Sequence, residues 1–427
     1  MSRLPALCVA ALLLPASVSA ETAYEQLRQA VPGQAAVAVV AAPPTAADAS
    51  APVQKAEGIG LAHAGNPFDI PDFSLAQVAS ILREAGGTHY RAHLTLNETV
   101  PYISSATLAR LRLAAADPAV LEAMTEELYR DGRWERMDGL VQTFTQSGIR
   151  LILVAGAGYR KEAPLYTAPD GTEQPVSPDR IGRETYITMA RWIAGAGVRR
   201  YGRRVQFWQV ENEINLARLV CINGWRVNEG SWGDEAFLKR LLAELSATVH
   251  AEGKRAGLSL KTTHNFATGL PFWEKWVDSG DLDIVGIDMY ANYFEGFPIC
   301  KSCLVSVIRK AVAVAGGRPV WILETGYPQA PAIRGFTPDR QAEYFQDVFD
   351  AAYSNGVKVA LAFGWFYDPK GWFTDGPNPP AWWSLEACEA HWGPPISVEN
   401  KPDGSMDVRY GPAWDVLKDA ARRWVAP

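Results

Sequence analysis

From Glu57 onward, short apolar runs alternate with segments whose apolar residues recur every three or four positions. The runs read as buried strands and the periodic segments as amphipathic helices. Strands are expected at Ile59–His63, Thr88–Leu94, Ile149–Ala155, Val205–Glu213, Leu258–Asn265, Leu282–Tyr290, Arg318–Glu324 and Val357–Trp365. Helices are expected near Ser74–Glu84, Trp134–Gln146, Arg183–Ala194, Glu235–Ala251, Leu304–Ala315, Gln341–Ser354 and Ala413–Trp424. In the second of these, Met137, Leu140, Val141 and Phe144 fall on one face. Eight strands alternating with these helices predict an α/β fold, a parallel (β/α)8 TIM barrel.

The connections sharpen this. Helix-to-strand links are brief, as at Ser147-Gly148, Gly316-Gly317 and Asn355-Gly356, whereas strand-to-helix links run long at 95–131, 156–180, 214–233, 291–303 and 366–410. Long loops confined to one end are where a barrel builds its binding face.

The N-terminus has a different pattern. Arg3, the mostly apolar Leu4–Leu14 and the small residues Val18-Ser19-Ala20 read as a signal peptide over 1–20. Residues 21–56 read as an arm, with a short helix at 21–30 and then an Ala/Val/Pro-rich linker containing Pro43-Pro44. The domain proper is 57–427. A periplasmic or extracellular monomer with no membrane span in the mature chain is expected.

Composition changes little. With 48% hydrophobic and 21% charged residues the chain folds, and a net charge of −6 points away from nucleic acid. Fifteen tryptophans suit sugar stacking and a large core equally. Trp372, Phe373, Trp382 and Trp383 crowd the eighth long loop. Export leaves Cys221, Cys300, Cys303 and Cys388, all in long loops. An even number in an oxidising compartment suggests two disulfides in one of three pairings. The Cys300-x-x-Cys303 spacing leaves a redox motif or half a zinc site as alternatives. No His-Glu-x-x-His pair, clustered aspartates or Gly-rich phosphate loop is present, so neither metal nor nucleotide cofactor is expected.

Candidate chemistry sits at two strand ends. The fourth strand runs from Val205 into Glu211-Asn212-Glu213-Ile214-Asn215, and the seventh ends in Leu323-Glu324-Thr325-Gly326-Tyr327. Two carboxylates so placed suit glycosidic hydrolysis, one protonating the leaving oxygen and the other attacking. Strand alternation puts Glu211 and Glu213 on the same side, so the residues alone leave Glu211 as a rival acid.

Asn212-Glu213 and Glu324 resemble the acid/base and nucleophile motifs of the clan A retaining glycoside hydrolases, and the likeness spans about Glu57 to Trp424. The general layout is similar to families 39 and 5, and the Glu324–Pro328 segment to families 53 and 17. Ile214 stands where the clan commonly has proline. The resemblance implies Glu213 as acid/base and Glu324 as nucleophile. It also implies Arg91 beside the nucleophile, Tyr290 hydrogen-bonding it, Asn212 on the sugar 2-hydroxyl and Trp365 beneath the sugar, with His264 or Asn265 lining the fifth strand's edge. The implied reaction is double displacement on a β-linked polysaccharide or oligosaccharide. A transglycosylase would share every one of these residues, and a non-catalytic sugar-binding barrel would not need the paired glutamates.

Overall fold

A computed structural model describes residues 56–62, 73–94, 99–156, 163–215, 230–268, 272–290, 301–327, 337–364, 396–400 and 406–425. All belong to one compact unit. Eight strands form its centre: β1 (Gly58–Ala62), β2 (His89–His93), β3 (Arg150–Ala155), β4 (Phe207–Val210), β5 (Lys261–Ala267), β6 (Ile284–Met289), β7 (Val320–Thr325) and β8 (Val359–Phe363). They close in sequence order, each parallel to its neighbours, with β8 pairing β1. The expected (β/α)8 barrel is the fold.

Around it run α1 (Leu75–Glu84), α2 (Ser105–Ala114), α3 (Pro118–Asp131), α4 (Glu135–Gln146), α5 (Arg183–Tyr201), α6 (Glu235–Arg255), α7 (Lys301–Val314), α8 (Pro338–Ser354) and α9 (Pro412–Val425). After β5, a 3-10 turn at Trp273–Trp276 precedes β6. Local chemistry starts several helices. Ser74 and Gln77 form a reciprocal capping box on α1, and Asp117 followed by Pro118 opens α3. In α4 the four residues expected on one face are the four buried.

The structure corrects three expectations. Residues 95–131 were expected as loop but contain α2 and α3, with Ser104 capping α2 through the Thr107 N–H at 3.0 Å. Helix α5 continues past Ala194 to Tyr201. Gly195 and Gly197 would ordinarily weaken it, but they permit close packing: a Cβ at Gly197 would stand 2.7 Å from Leu94 Cδ2. Finally, β4 stops at Val210, well short of Glu213. The loops after β2 and β3 also build a small sheet from 102–103, 165–167 and 173–175.

Inside the barrel, Ala62, Ile152, Phe207, Ile284, Trp321, Leu323, Val359 and Leu361 pack together. His89 projects from β2 against Phe207 and Trp321, with ring centroids 6.2 and 5.6 Å away. These rings plug the barrel below the polar ends of the strands.

Candidate active site

Glu324 reaches the site through an irregularity. Trp321 and Leu323 point into the barrel, so strict alternation would turn Glu324 outward. The β6–β7 register shifts between Ile322 and Glu324, a bulge that reverses the alternation. Thr325 then faces out, its hydroxyl 2.8 Å from Tyr344 Oη on α8. Glu324 faces in, and both its oxygens are held. Arg91 Nη1 donates to Oε1 at 2.6 Å and Tyr290 Oη to Oε2 at 2.6 Å.

Arg91 is itself fixed at all three nitrogens. Nε donates to Gln209 Oε1 at 2.7 Å and Nη2 to Asn212 Oδ1. At 1% exposure, its charge is held against Glu324 out of water's reach. Burial, with Glu324 the nearest of several carboxyl groups behind it, raises the Tyr290 phenol well above its usual range. Tyr290 therefore remains a donor.

The second carboxylate stands on a turn rather than a strand. Glu211 and Glu213 have φ of 57° and 42°, in the left-handed region that side chains other than glycine seldom adopt. Two residues of β5 hold this backbone. His264 Nδ1 donates to the Val210 carbonyl at 2.7 Å, and Nε2 accepts the Ile214 N–H at 3.2 Å. That arrangement needs a neutral imidazole protonated on Nδ1. Burial, abetted by the charge of Arg91, lowers His264 to about 4 and keeps it neutral. Asn265 Oδ1 accepts the Glu213 N–H at 3.1 Å and Gln209 Nε2 at 2.6 Å. Its Nδ2 donates to Asn212 Oδ1 at 2.7 Å and to Asp288 Oδ2 at 2.5 Å.

The turn also separates the two glutamates that alternation would pair. Glu211 is buried against Gly156, where an added Cβ would lie 2.6 Å from Glu211 Oε2. Glu213 is half-buried, and its charge reaches both Tyr290 and Asp288. The structure thus gathers Arg91, Asn212, Glu213, His264, Asn265, Tyr290 and Glu324 at the C-terminal ends of β2 and β4–β7. Both ring nitrogens of His264 serve backbone, which makes it a support for the turn. Trp365 lies outside the described residues.

Sequence reasoning missed Gln209 and Asp288. Period two was signal enough for both: Gln209 follows inward Phe207, and Asp288 follows inward Ile284 by two steps. Among the described residues no group of three or more His, Cys, Asp or Glu side chains could hold a metal ion.

The described residues thus form a closed eight-stranded barrel with a buried polar cluster at its C-terminal mouth, and solved structures share this fold. The β-glycosidase of the hyperthermophile Thermosphaera aggregans is similar over 88% of this chain and 97% of that one, with a TM-score of 0.58 and 11% identity. A hyperthermophilic β-glucosidase from Pyrococcus furiosus is similar over 88% and 96%, with a TM-score of 0.55 and 13% identity. A family 39 glycoside hydrolase from the gut symbiont Bacteroides cellulosilyticus WH2 aligns at 17% identity over 86% of this chain and 64% of that one, with a TM-score of 0.49. At these identities the likeness is one of fold. No family model matches the chain, and no curated protein does.

Proposed function

We propose that the chain is an exported retaining β-glycoside hydrolase that cleaves within β-linked polysaccharides. The observation that carries this reading is the double grip on Glu324 from Arg91 and Tyr290, with Glu213 presented from the turn after β4. A nucleophilic carboxylate must be aimed and desolvated, and two donors on opposite oxygens do both. Glu324 attacks the anomeric carbon while Glu213 gives its proton to the departing oxygen. Glu324's charge is neutralised in the covalent intermediate, so Glu213 can ionise and then deprotonate the incoming water. The glycosidases among the similar structures support this class of reaction on the shared fold.

Endo-action is supported by the long loops that follow several strands, those after β2 and β3 building a small sheet of their own. Export is supported by the signal-like pattern of residues 1–20 and accords with the even set of four cysteines that follows it, Cys221, Cys300, Cys303 and Cys388. Cys221, Cys300 and Cys388 lie outside the described residues, so the two-disulfide arrangement is part of the proposal. No helix among the described residues is long and apolar enough to cross a membrane.

The test is covalent trapping. A fluorine at the sugar 2-position destabilises both oxocarbenium-like transition states, while a good leaving group still permits the first step. A panel of 2-fluoro gluco-, manno-, galacto- and xylosides should yield one that labels the enzyme stoichiometrically. The label should map to the peptide holding Glu324, and Glu324→Gln should take up none. Label on Glu213 would reverse the two roles, and turnover with inversion at the anomeric carbon would remove the covalent step altogether.

A further inference from the structure

The geometry points to Asp288 as a positioning residue that works as a neutral carboxylic acid, anchoring Asn265 and, through it, Asn212 and the backbone of Glu213. Asp288 is 1% exposed at the end of β6. Its Oδ2 accepts one hydrogen bond, from Asn265 Nδ2 at 2.5 Å, and its buried Oδ1 has no partner. One amide N–H is poor compensation for a buried full charge, whereas a protonated acid is far less costly to desolvate.

The surrounding charges point the same way. Facing Asp288 are Glu324 on β7, Glu213 on the turn after β4 and Tyr290 just past the end of β6, with Arg91 on β2 as the cation and Asn265 on β5 as the neutral donor. Arg91 is already committed to Glu324, Gln209 and Asn212. Burial first, then the negative fields of Glu324 and Glu213, push Asp288 well above the usual carboxylate range. The proton rests on Oδ1, because Oδ2 is the acceptor for Asn265. A second anion beside Glu324 would also compete with it for Arg91. Neutral Asp288 leaves the guanidinium to the nucleophile.

Two measurements test this, and only the second rests on the glycosidase reading. Infrared difference spectra of the intact wild-type protein at neutral pH, against Asp288→Asn, should show the C=O stretch of a protonated carboxyl group in wild type alone. An ionised-carboxylate band in its place would overturn the proposal whether or not a substrate is known. In the kinetic arm, Asp288→Ala should lower kcat on a chromogenic aryl glycoside by about 10- to 100-fold, through loss of the anchor. Asp288→Asn, which keeps the shape of the neutral acid, should recover most of that loss. Its alkaline limb in kcat/KM should not move to lower pH, since no negative charge has been removed from beside Glu213. An alkaline limb displaced downward by about one unit or more would show that wild-type Asp288 is ionised. Asp288→Asn as impaired as Asp288→Ala would equally defeat the proposal.

Discussion

Arg91 shows how much one side chain carries. Its planar fork serves a carboxylate and two amide oxygens in fixed directions, a task lysine's point charge cannot perform. Arg91→Lys should therefore keep the charge yet lose about 10- to 100-fold in kcat, because Gln209 and Asn212 lose their alignment. Arg91→Ala leaves Glu324 buried without its cation. That should cost roughly 3–5 kcal/mol of stability as well as activity, measured by denaturant titration. The two candidate acids separate by chemical rescue. Glu213→Ala should lose turnover of poor leaving groups but keep the first step on activated aryl glycosides, and azide should then accelerate it. Glu211→Ala, altered at a residue packed on Gly156, should show no such acceleration. Azide rescue of Glu211→Ala alone would transfer the acid's role to Glu211.

At the scale of elements, strain and its supports are adjacent. The left-handed turn through Glu211 and Glu213 persists because β5 grips it at Val210, Glu213 and Ile214. His264 does this only when neutral. Its folded pKa, about 4, lies below the ordinary value of 6.5, so between those limits the unfolded chain binds a proton that the folded one refuses. This contribution to stability is complete above pH 6.5 and falls as pH drops toward 4, by on the order of 3 kcal/mol across the window. Denaturation midpoints measured from pH 7 to 4 should decline in wild type and decline less in His264→Asn, which starts from a lower stability at pH 7. Gly156→Ala tests the turn from its other side. The added methyl would meet the Glu211 Cα at 2.7 Å, backbone that cannot swing away, so kcat should fall by about 10-fold or more in a protein that still folds.

At the scale of the molecule, the barrel separates support from chemistry by depth. The layer of Phe207, Trp321 and His89 seals the interior, and the polar cluster stands above it. Trp321→Ala, at a side chain 1% exposed, should cost roughly 3–5 kcal/mol, read as a lower denaturant midpoint. The outer wall depends on close approach as much as on apolar area. Gly195 and Gly197 bring α5 onto Thr125 and Leu94, which is why a helix that ought to weaken at its glycines continues to Tyr201.

What the sequence by itself determined is what local pattern can carry. Periods of two and of three to four residues specify which segments are strands and which are helices, and their alternation leaves the (β/α)8 barrel as the economical closure. Because an active site in this fold gathers at strand ends, Glu213 and Glu324 were legible as neighbours despite a separation of more than a hundred positions, and the resemblance to clan A added Arg91 and Tyr290. Tertiary structure alone decided how those residues are aimed. Alternation would have sent Glu324 outward, and the bulge against β6 turned it in. Alternation would have set Glu211 beside Glu213, and a turn held by His264 and Asn265 parted them. Helices α2 and α3 lie within 95–131, a stretch that reads as a single long loop, although Ser104 and Asp117-Pro118 mark their starts. Register shifts, left-handed backbone and the protonation of a buried carboxyl depend on contacts between segments far apart in the chain. No local period encodes them; only closure of the barrel brings the groups close enough to act on one another.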